Sequence, residues 1–242
     1  MNTQKQLYPF IIQSQDVDFR CRATLATISR ILLTTAGYNA DENGFGYQPL
    51  HDINCSWVLT KFAVAMDEFP LQYEEIQIET WVEDINRLST TRNFRIYNKK
   101  GDIIGKASSL WVMIDIDTRK AQDLSLLQNI ENAANHIALD IEKPIRLKAI
   151  EGKRIDSFKV KYSDIDINKH TNTVRYVEWV SNCFPLEMYS TKHIQRFEIN
   201  FLNEILFDEQ VNVFCEETEL NDFRFEIKKE DSVACKARVV WR

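Results

Sequence analysis

The sequence predicts an α+β fold made of two tandem repeats, each with a curved antiparallel sheet wrapped around one helix. The order strand, helix, then about four strands occurs twice along the 242 residues. The second repeat also echoes the first at corresponding points. These are Phe94-Arg95, Lys99-Lys100-Gly101-Asp102 and Trp111 in the first, and Phe223-Arg224, Lys228-Lys229-Glu230-Asp231 and Trp241 in the second. Such self-similarity indicates duplication of one unit, in which the apolar face of a single helix must be covered by a sheet.

The first repeat is predicted to begin with an apolar strand over residues 8–12. A helix over 22–36 follows, with its apolar side chains on one face and Gly37 as its stop, and then a turn-rich loop over 41–46. Patterns rich in β-forming residues predict four strands after that loop. They cover residues 57–66, 76–82, 94–97 and 103–116, with a hairpin turn over 99–102.

A less regular connection over residues 117–149 leads to the second repeat, and we expect it to be helical and partly exposed. Beyond it the pattern predicts a strand over 154–162 and a helix over 172–184. The remaining strands are predicted over 193–202, 210–217, 223–228 and 233–241. The sequence therefore predicts two domains, residues 1–148 and 149–242.

Composition excludes several classes of protein. The net charge of −6 gives no general nucleic-acid footprint, and no run of eighteen apolar residues predicts a membrane span. Residues 1–8 are polar and lack the apolar core of a signal peptide, so we expect a cytoplasmic protein. The five scattered cysteines form no C-x-x-C pair and the four histidines show no zinc spacing, which predicts reduced thiols and no metal.

Most side chains that could act as acid, base or amide in catalysis lie in one polar run, residues 164–176, between a predicted strand and a predicted helix. His170, Thr171 and Asn172 stand where that helix would begin. A helix N-terminus offers free backbone N–H groups and the positive end of a dipole, so the run could face developing negative charge. A calcium loop is excluded, because Lys169 and Arg175 stand where that loop needs glycine and glutamate.

The run also carries a family resemblance. The pattern Asp166-x-Asn168-x-His170-x-Asn172-x-x-x-Tyr176 is similar to the signature of the acyl-acyl carrier protein (acyl-ACP) thioesterases. Further matches stand in the right order along the first repeat: Gly44-Phe45-Gly46 and residues 57–61, 79–82 and 107–113. The resemblance implies a double hot-dog fold and the release of free fatty acid from acyl-ACP, without a metal or soluble cofactor.

The sequence departs from the plant members in two ways. No long leader precedes Tyr8, so the chain resembles the bacterial branch. In Asn203-Glu204-Ile205 the family's glutamate is present, but the cysteine that follows it in plant members is not. Neither Cys183 nor Cys215 neighbours a helix start or a histidine in sequence, which favours a carboxylate-and-water mechanism over a thiol nucleophile.

The resemblance implies four catalytic residues, and each has an alternative interpretation. His170 could cap the helix or be a satisfied core histidine rather than act on substrate, and Asn168 could be a turn residue. Asp166 is expected to orient its neighbours. Glu204 is either a general base or a solvated strand end. Asp164 is expected to be a surface or loop-stabilising residue.

The function predicted is hydrolysis of fatty acyl-ACP by a water that Glu204 and His170 activate. The 149–242 repeat would hold the catalytic residues, and the 1–148 repeat would supply stability and an apolar pocket for the acyl tail. A basic stretch over 143–161 could bind the acidic carrier protein despite the overall negative charge. Alternatives are an acyl-CoA thioesterase and a non-catalytic acyl-binding module, and both monomer and homodimer stay open.

Overall fold

A computed structural model of the protein describes residues 6–128 and 130–242. These residues form two compact units. The first takes in the chain up to Ala23 together with Arg30–Pro144, and the second consists of Thr24–Ser29 and Ile145–Arg242. Residues 1–5, which carry most of the polar N-terminus predicted to lack a signal core, lie outside the described residues.

The first unit contains five strands and two helices. In chain order they are β1 (Gln6–Ile11), α1 (Leu25–Glu42, whose first turn is grouped with the second unit), α2 (Tyr47–Asp52), β2 (Cys55–Met66), β3 (Glu75–Ile85), β4 (Ser89–Asn98) and β5 (Ile103–Asp115). The strands form an antiparallel sheet in the order β1-β3-β4-β5-β2. Alternate side chains of the strands point into the core, where Phe62, Ile78 and Phe94 are fully buried.

Helix α1 does not stop at Gly37 as the sequence predicts, but continues to Glu42. A single glycine costs a helix only about 1 kcal/mol relative to alanine, and contacts with the sheet favour the longer helix. Arg92 of β4 donates to Asn39 Oδ1 at 2.6 Å, and the Tyr8 hydroxyl of β1 donates to Glu42 at 2.5 Å. Polar residues that indicate a turn in the sequence therefore anchor the end of this helix to two strands.

The connection that follows β5 is not helical as predicted. Its described residues contain only two short 3-10 turns, Leu124–Leu126 and Ile130–Ala133. Backbone N–H groups of residues 135 and 136 donate to carbonyls of Val82 and Glu83 on β3, at 3.0 and 3.1 Å, which competes with helix formation. Its apolar side chains at positions 124, 127 and 130 are buried, so the segment is a packed part of the first unit.

The second unit repeats this arrangement. Its elements are β6 (Lys153–Lys159), α3 (Thr173–Ser181), α4 (Leu186–Thr191), β7 (Ile194–Phe201), β8 (Gln210–Glu219), β9 (Asp222–Lys229) and β10 (Ser232–Trp241). Their antiparallel order, β6-β8-β9-β10-β7, is the order of the first sheet with each strand replaced by its counterpart. The predicted fold class, two repeats each with an antiparallel sheet around a helix, is confirmed.

Helix α3 packs on its own sheet through aromatic rings. Tyr176 meets Phe201 of β7 edge-on at 5.4 Å, and Trp179 meets Phe158 of β6 at 4.9 Å. The helix ends at Ser181, three residues before the predicted end, and Phe184 packs beyond it against Phe223, Phe225 and Trp241 of the sheet. No helix among the described residues is long and apolar enough to cross a membrane.

Candidate active site

The polar run of the second unit folds into a tight loop. A β-bridge between Ile165 and Thr171 closes the loop. Within the loop the Asp166 N–H donates to the His170 carbonyl at 2.8 Å. Lys169 adopts the left-handed backbone conformation, with φ of 63°, which lets the chain reverse within these few residues. The backbone of the loop is therefore held in one compact turn.

Asp166 organises the loop from inside. Its Oδ1 accepts the backbone N–H of Asn168 at 2.8 Å and that of His170 at 3.2 Å. A carboxylate that accepts backbone N–H groups makes charge-assisted hydrogen bonds, which are stronger than neutral ones. This is the geometry of an orienting residue, since the carboxylate fixes the backbone on which Asn168 and His170 are carried.

A second loop, which joins β7 to β8, is fastened to the first. Both the N–H and the hydroxyl of Thr171 donate to the Ile205 carbonyl, each at 2.9 Å, and His170 forms a bridge with Leu206. Ile205 is fully buried, so the loop is anchored in the core at the residue next to Glu204. The sequence analysis missed the positioning role of Thr171.

The fastening brings His170 and Glu204 together. His170 Nε2 lies 3.2 Å from Glu204 Oε2, within hydrogen-bond reach. The two side chains are 26% and 43% exposed, so water can reach both of them. Glu204 does not end strand β7 as expected, because that strand stops at Phe201 and Glu204 lies in the loop beyond it.

The N-terminus of α3 has fewer available donors than predicted. Asn172 is its N-cap, and the Asn172 side chain accepts the N–H of Val174 at 2.9 Å. The N–H of Asn172 itself donates to the Asp164 carbonyl, and that of Arg175 donates to the Asn172 carbonyl. Among the first residues of the helix, only the Thr173 N–H makes no hydrogen bond within the described chain.

Asn168 and Asp164, two further polar residues of the run, differ in their contacts. Asn168 is exposed, and its side chain makes no hydrogen bond with any described residue, so it can face a ligand. Asp164 stabilises the loop as predicted. Its Oδ2 accepts the Lys161 N–H at 2.7 Å, and its Oδ1 lies 3.6 Å from Arg175 Nε.

Cys183 and Cys215 are poorly suited to nucleophilic chemistry. All five cysteines are free, and burial raises the pKa of Cys183 to about 12 and that of Cys215 to about 11. Thiols of this kind stay protonated near neutral pH, whereas a nucleophilic cysteine must be a thiolate. Across residues 6–128 and 130–242, no three His, Cys, Asp or Glu side chains are grouped so that they could hold a metal ion.

The first unit, considered by itself, contains a cavity of about 220 Å³ beside α1, α2 and the sheet. Its walls include the rings of Phe45, Trp57 and Trp111. The acyl-tail pocket expected in this repeat from the sequence stays a prediction.

Comparison with known proteins assigns both repeats to one family. The acyl-ACP thioesterase N-terminal domain matches residues 4–126, and the acyl-ACP thioesterase C-terminal domain matches residues 147–242. The crystal structure of an acyl-ACP thioesterase from Bacteroides thetaiotaomicron superposes with a TM-score of 0.93 at 39% identity, covering 98% of this chain and 97% of that one. A 12:0-ACP thioesterase from Umbellularia californica shares the fold, with a TM-score of 0.85 at 21% identity over 98% of this chain and 96% of that one.

Plant relatives match over most of the chain at lower identity. An oleoyl-acyl carrier protein thioesterase, chloroplastic, of Coriandrum sativum is 25% identical over 226 residues, which are 84% of this chain and 60% of that protein. A palmitoyl-acyl carrier protein thioesterase, chloroplastic, of Gossypium hirsutum is 26% identical over 209 residues, 81% of this chain and 51% of that protein. The chain thus spans between about half and three fifths of the length of these relatives. With both family domains matched, and with the double hot-dog fold in place, the chain belongs to the acyl-ACP thioesterase family.

Proposed function

We propose that this protein hydrolyses fatty acyl-ACP to free fatty acid and carrier protein, as a step of fatty acid biosynthesis. The observation that carries the proposal is the contact of His170 with Glu204 at 3.2 Å, on a loop that Asp166 holds in shape. Family membership supports the substrate class, since these relatives are named as thioesterases of oleoyl- and palmitoyl-acyl carrier protein. The site supplies the acid and base groups that thioester hydrolysis needs.

In the proposed reaction a water molecule attacks the thioester carbonyl carbon. The His170–Glu204 pair takes a proton from that water, a carbon–oxygen bond forms, and the carbon–sulfur bond breaks. The pair then gives its proton to the leaving thiolate of the carrier, so the products are a carboxylic acid and a thiol. An acid–base pair of this kind suits the step because one member can hold the proton between the two transfers.

The negative charge that develops on the carbonyl oxygen needs hydrogen-bond donors. We assign this role to the Asn168 side-chain amide and to the Thr173 N–H, neither of which is engaged elsewhere in the described chain. The N-terminus of α3 adds the positive end of its dipole. Asp166 acts through the backbone N–H groups that it holds and has no chemical role.

The acyl tail and the carrier protein are assigned to other parts of the chain. The cavity of the first unit is the proposed tail pocket, because apolar rings form much of its wall. Arg146 and Lys148 of the basic stretch are exposed, and they are the proposed contacts of an acidic carrier. The proposal includes a cytoplasmic location and no metal or soluble cofactor.

The test is hydrolysis of acyl-ACP and acyl-CoA that carry the same acyl chain, measured side by side. We expect a higher kcat/KM for acyl-ACP, and loss of hydrolysis of both substrates in Glu204→Gln. A higher kcat/KM for acyl-CoA would change the substrate to the coenzyme A ester. Binding of acyl-ACP without turnover would make the protein an acyl-binding module and overturn the proposal.

A further inference from the structure

The loop that carries Glu204 has a counterpart of equal length in the first unit. It joins β7 to β8 over residues 202–209, and the counterpart joins β2 to β3 over residues 67–74. Glu204 is the third residue of its loop, and the third residue of the counterpart is Phe69, which is buried. The two loops can therefore be compared position by position, with and without a carboxylate at the place of the proposed base.

The backbone of both loops is held in the same way. In each loop the first two N–H groups donate to a single carbonyl, that of Ala234 at 2.8 and 3.0 Å in the second unit and that of Ile104 at 3.0 and 3.2 Å in the first. The seventh residue of each loop is left-handed, with φ of 65° at Asp208 and 64° at Tyr73. The turn thus forms whether or not the loop carries a carboxylate at its third position.

The last residue of each loop caps it with a carboxylate. Glu209 Oε2 accepts the Leu206 N–H at 2.8 Å, and in the first unit Glu74 Oε2 accepts the Leu71 N–H at 2.9 Å. Because this cap is common to both loops, it belongs to the turn itself and needs no catalytic explanation.

Two side-chain contacts distinguish the loop of the second unit. The side-chain amide of Asn203 donates to the Val233 carbonyl at 2.8 Å, which fastens the residue before Glu204 to the hairpin between β9 and β10. At the other end of the loop, Lys229 Nζ lies 3.1 Å from Glu209 Oε1. The ion pair ties the capping carboxylate to the end of β9, so the loop is held at both of its ends.

The corresponding positions of the first unit lack both contacts. Glu68 stands in place of Asn203, is exposed, and makes no side-chain hydrogen bond or ion pair with any described residue. Glu74 forms no ion pair within the described chain, and Lys99 at the corresponding hairpin lies 3.4 Å from Glu75 instead. Since the same turn forms there without the two contacts, folding of the loop does not require them.

We propose that Asn203 and Lys229 are positioning residues that hold Glu204 at its distance from His170. The inference rests on the proposed function, in which Glu204 belongs to the acid–base pair. Asn203 fixes the backbone directly before Glu204, and Lys229 fixes the end of the loop through Glu209. Such restraints matter because a misplacement of about 1 Å can cost about 10²-fold in rate.

The first measurement is the crystal structure of the double variant Asn203→Ala with Lys229→Met. The separation of His170 Nε2 and Glu204 Oε2 should lengthen from 3.2 Å to more than about 3.5 Å, beyond hydrogen-bond reach, while the backbone bonds of the turn persist. A separation that stays at 3.2 Å overturns the inference. If the separation lengthens but the wild type hydrolyses neither acyl-ACP nor acyl-CoA, the positioning stands and the proposed function fails.

The second measurement is the kinetics of acyl-ACP hydrolysis. Each single change should lower kcat by about 3–10-fold and the double change by about 10–100-fold, with KM within about twofold of the wild type. Lys229→Arg should keep most of the activity, because a guanidinium can also pair with Glu209. In a Glu204→Gln background the double change should cost less than about twofold, since the carboxylate that it positions is no longer there.

Glu68→Ala and Lys99→Met are the matched controls, because they alter the counterpart loop and the corresponding hairpin of the first unit. They should leave kcat unchanged, and the melting temperature of each variant checks that it is folded. The inference is wrong if the controls lower kcat as much as the variants at Asn203 and Lys229 do. It is equally wrong if the double change costs the same factor with and without the Glu204 carboxylate.

Discussion

His170 Nε2 and Glu204 Oε2 lie 3.2 Å apart although the two residues come from different loops of the second unit. The contact exists because Thr171 donates twice to the carbonyl of Ile205, the buried neighbour of Glu204. In the proposed function these two side chains act as an acid–base pair, and anchoring of both loops to the core favours one fixed distance between them.

Replacing Glu204 by Gln should lower kcat for acyl-ACP hydrolysis by about 10²–10⁴-fold, the usual contribution of a positioned base. Glutamine keeps the size of the side chain and can still contact His170, but it cannot accept the proton of water. KM and the melting temperature should stay nearly unchanged, because Glu204 is exposed and does not belong to the core. Steady-state kinetics and thermal unfolding measure the two effects.

His170→Ala should cost as much as Glu204→Gln or more, and the double variant should lose less than the product of the two single losses. Residues that act as one unit are non-additive in this way. Near-full turnover of Glu204→Gln at saturating acyl-ACP would assign Glu204 to the loop surface and leave His170 as the only base.

Asp166→Asn tests a positioning residue. Asn keeps an oxygen that can accept the N–H groups of Asn168 and His170, but it loses the charge that strengthens both bonds. We expect a fall in kcat smaller than that of Glu204→Gln, and a larger fall in Asp166→Ala, which removes the acceptor. Asp156→Asn, an exposed position on β6, is the matched control.

If Asp166 only positions its neighbours, the pH dependence of the hydrolysis rate gives a second test. Asp166 holds backbone groups and transfers no proton, so Asp166→Asn should keep the shape of the pH–rate profile while lowering its height. Equal losses in Asp166→Asn and Asp166→Ala, together with a displaced profile, would place this carboxylate in the chemistry itself.

The features that the sequence predicted well are local ones. The sequence predicts Asn172 near the helix start because Asn is favoured at such positions, a preference that depends only on neighbouring residues. In the structure its side chain accepts the N–H of the residue two positions on. The repeat order was readable because strand and helix periods recur within each segment. The family resemblance added Glu204, whose loop has no distinguishing pattern of its own.

The features that the sequence could not predict depend on partners far along the chain. Gly37 predicts a helix stop, but the helix continues past it and Asn39 binds Arg92. The connection after β5 is predicted to be helical, but its N–H groups donate to β3 carbonyls. The distance from His170 to Glu204 likewise follows from the anchoring of Thr171 on Ile205. Tertiary contacts override local preference in each case.

Thiol alkylation should leave the activity intact. Burial raises the pKa of Cys183 to about 12 and that of Cys215 to about 11, so below pH 9 both remain thiols and react slowly. The exposed Cys21 should react first with iodoacetamide under native conditions. Mass spectrometry of the labelled protein, set beside its hydrolysis rate, checks this, and inactivation in step with labelling of Cys183 or Cys215 would restore a cysteine mechanism.

Glu83 should make the stability of the first unit depend on pH. Burial acts to raise the pKa of Glu83, but hydrogen bonds from Lys143 and Asn93 outweigh it, and the pKa is lowered. A lowered carboxyl pKa contributes stability above the unfolded value, near 4.3, that is lost as the pH falls through the folded value. Glu83→Gln should lower the free energy of unfolding by about 1–3 kcal/mol at pH 7.

The cost of the same substitution should fall as the pH is lowered from 7 to 3, because protonation progressively removes the charge of Glu83 in the wild type. Chemical denaturation at both pH values measures the difference. A cost of Glu83→Gln that is equal at pH 7 and pH 3 would mean that packing, rather than charge, gives Glu83 its role.

Charge reversal of the basic stretch should separate carrier binding from chemistry. Lys143 is paired with Glu83, and Lys159 lies 3.2 Å from Asp208, so the charges of these two lysines are largely used within the protein. Arg146 and Lys148 are exposed and form no ion pair with any described residue. Arg146→Glu with Lys148→Glu should therefore raise KM for acyl-ACP, because an acidic carrier would now be repelled.

The rise in KM should shrink as salt is added, since charges are screened over about 8–10 Å at physiological ionic strength. Hydrolysis of a small free thioester, which presents no carrier surface, should be unchanged. Lys100→Glu, on the exposed hairpin between β4 and β5, is the matched control and should leave KM for acyl-ACP as it is. An equal loss on acyl-ACP and on the small thioester would mean that Arg146 and Lys148 support the structure of the second unit and do not bind the carrier.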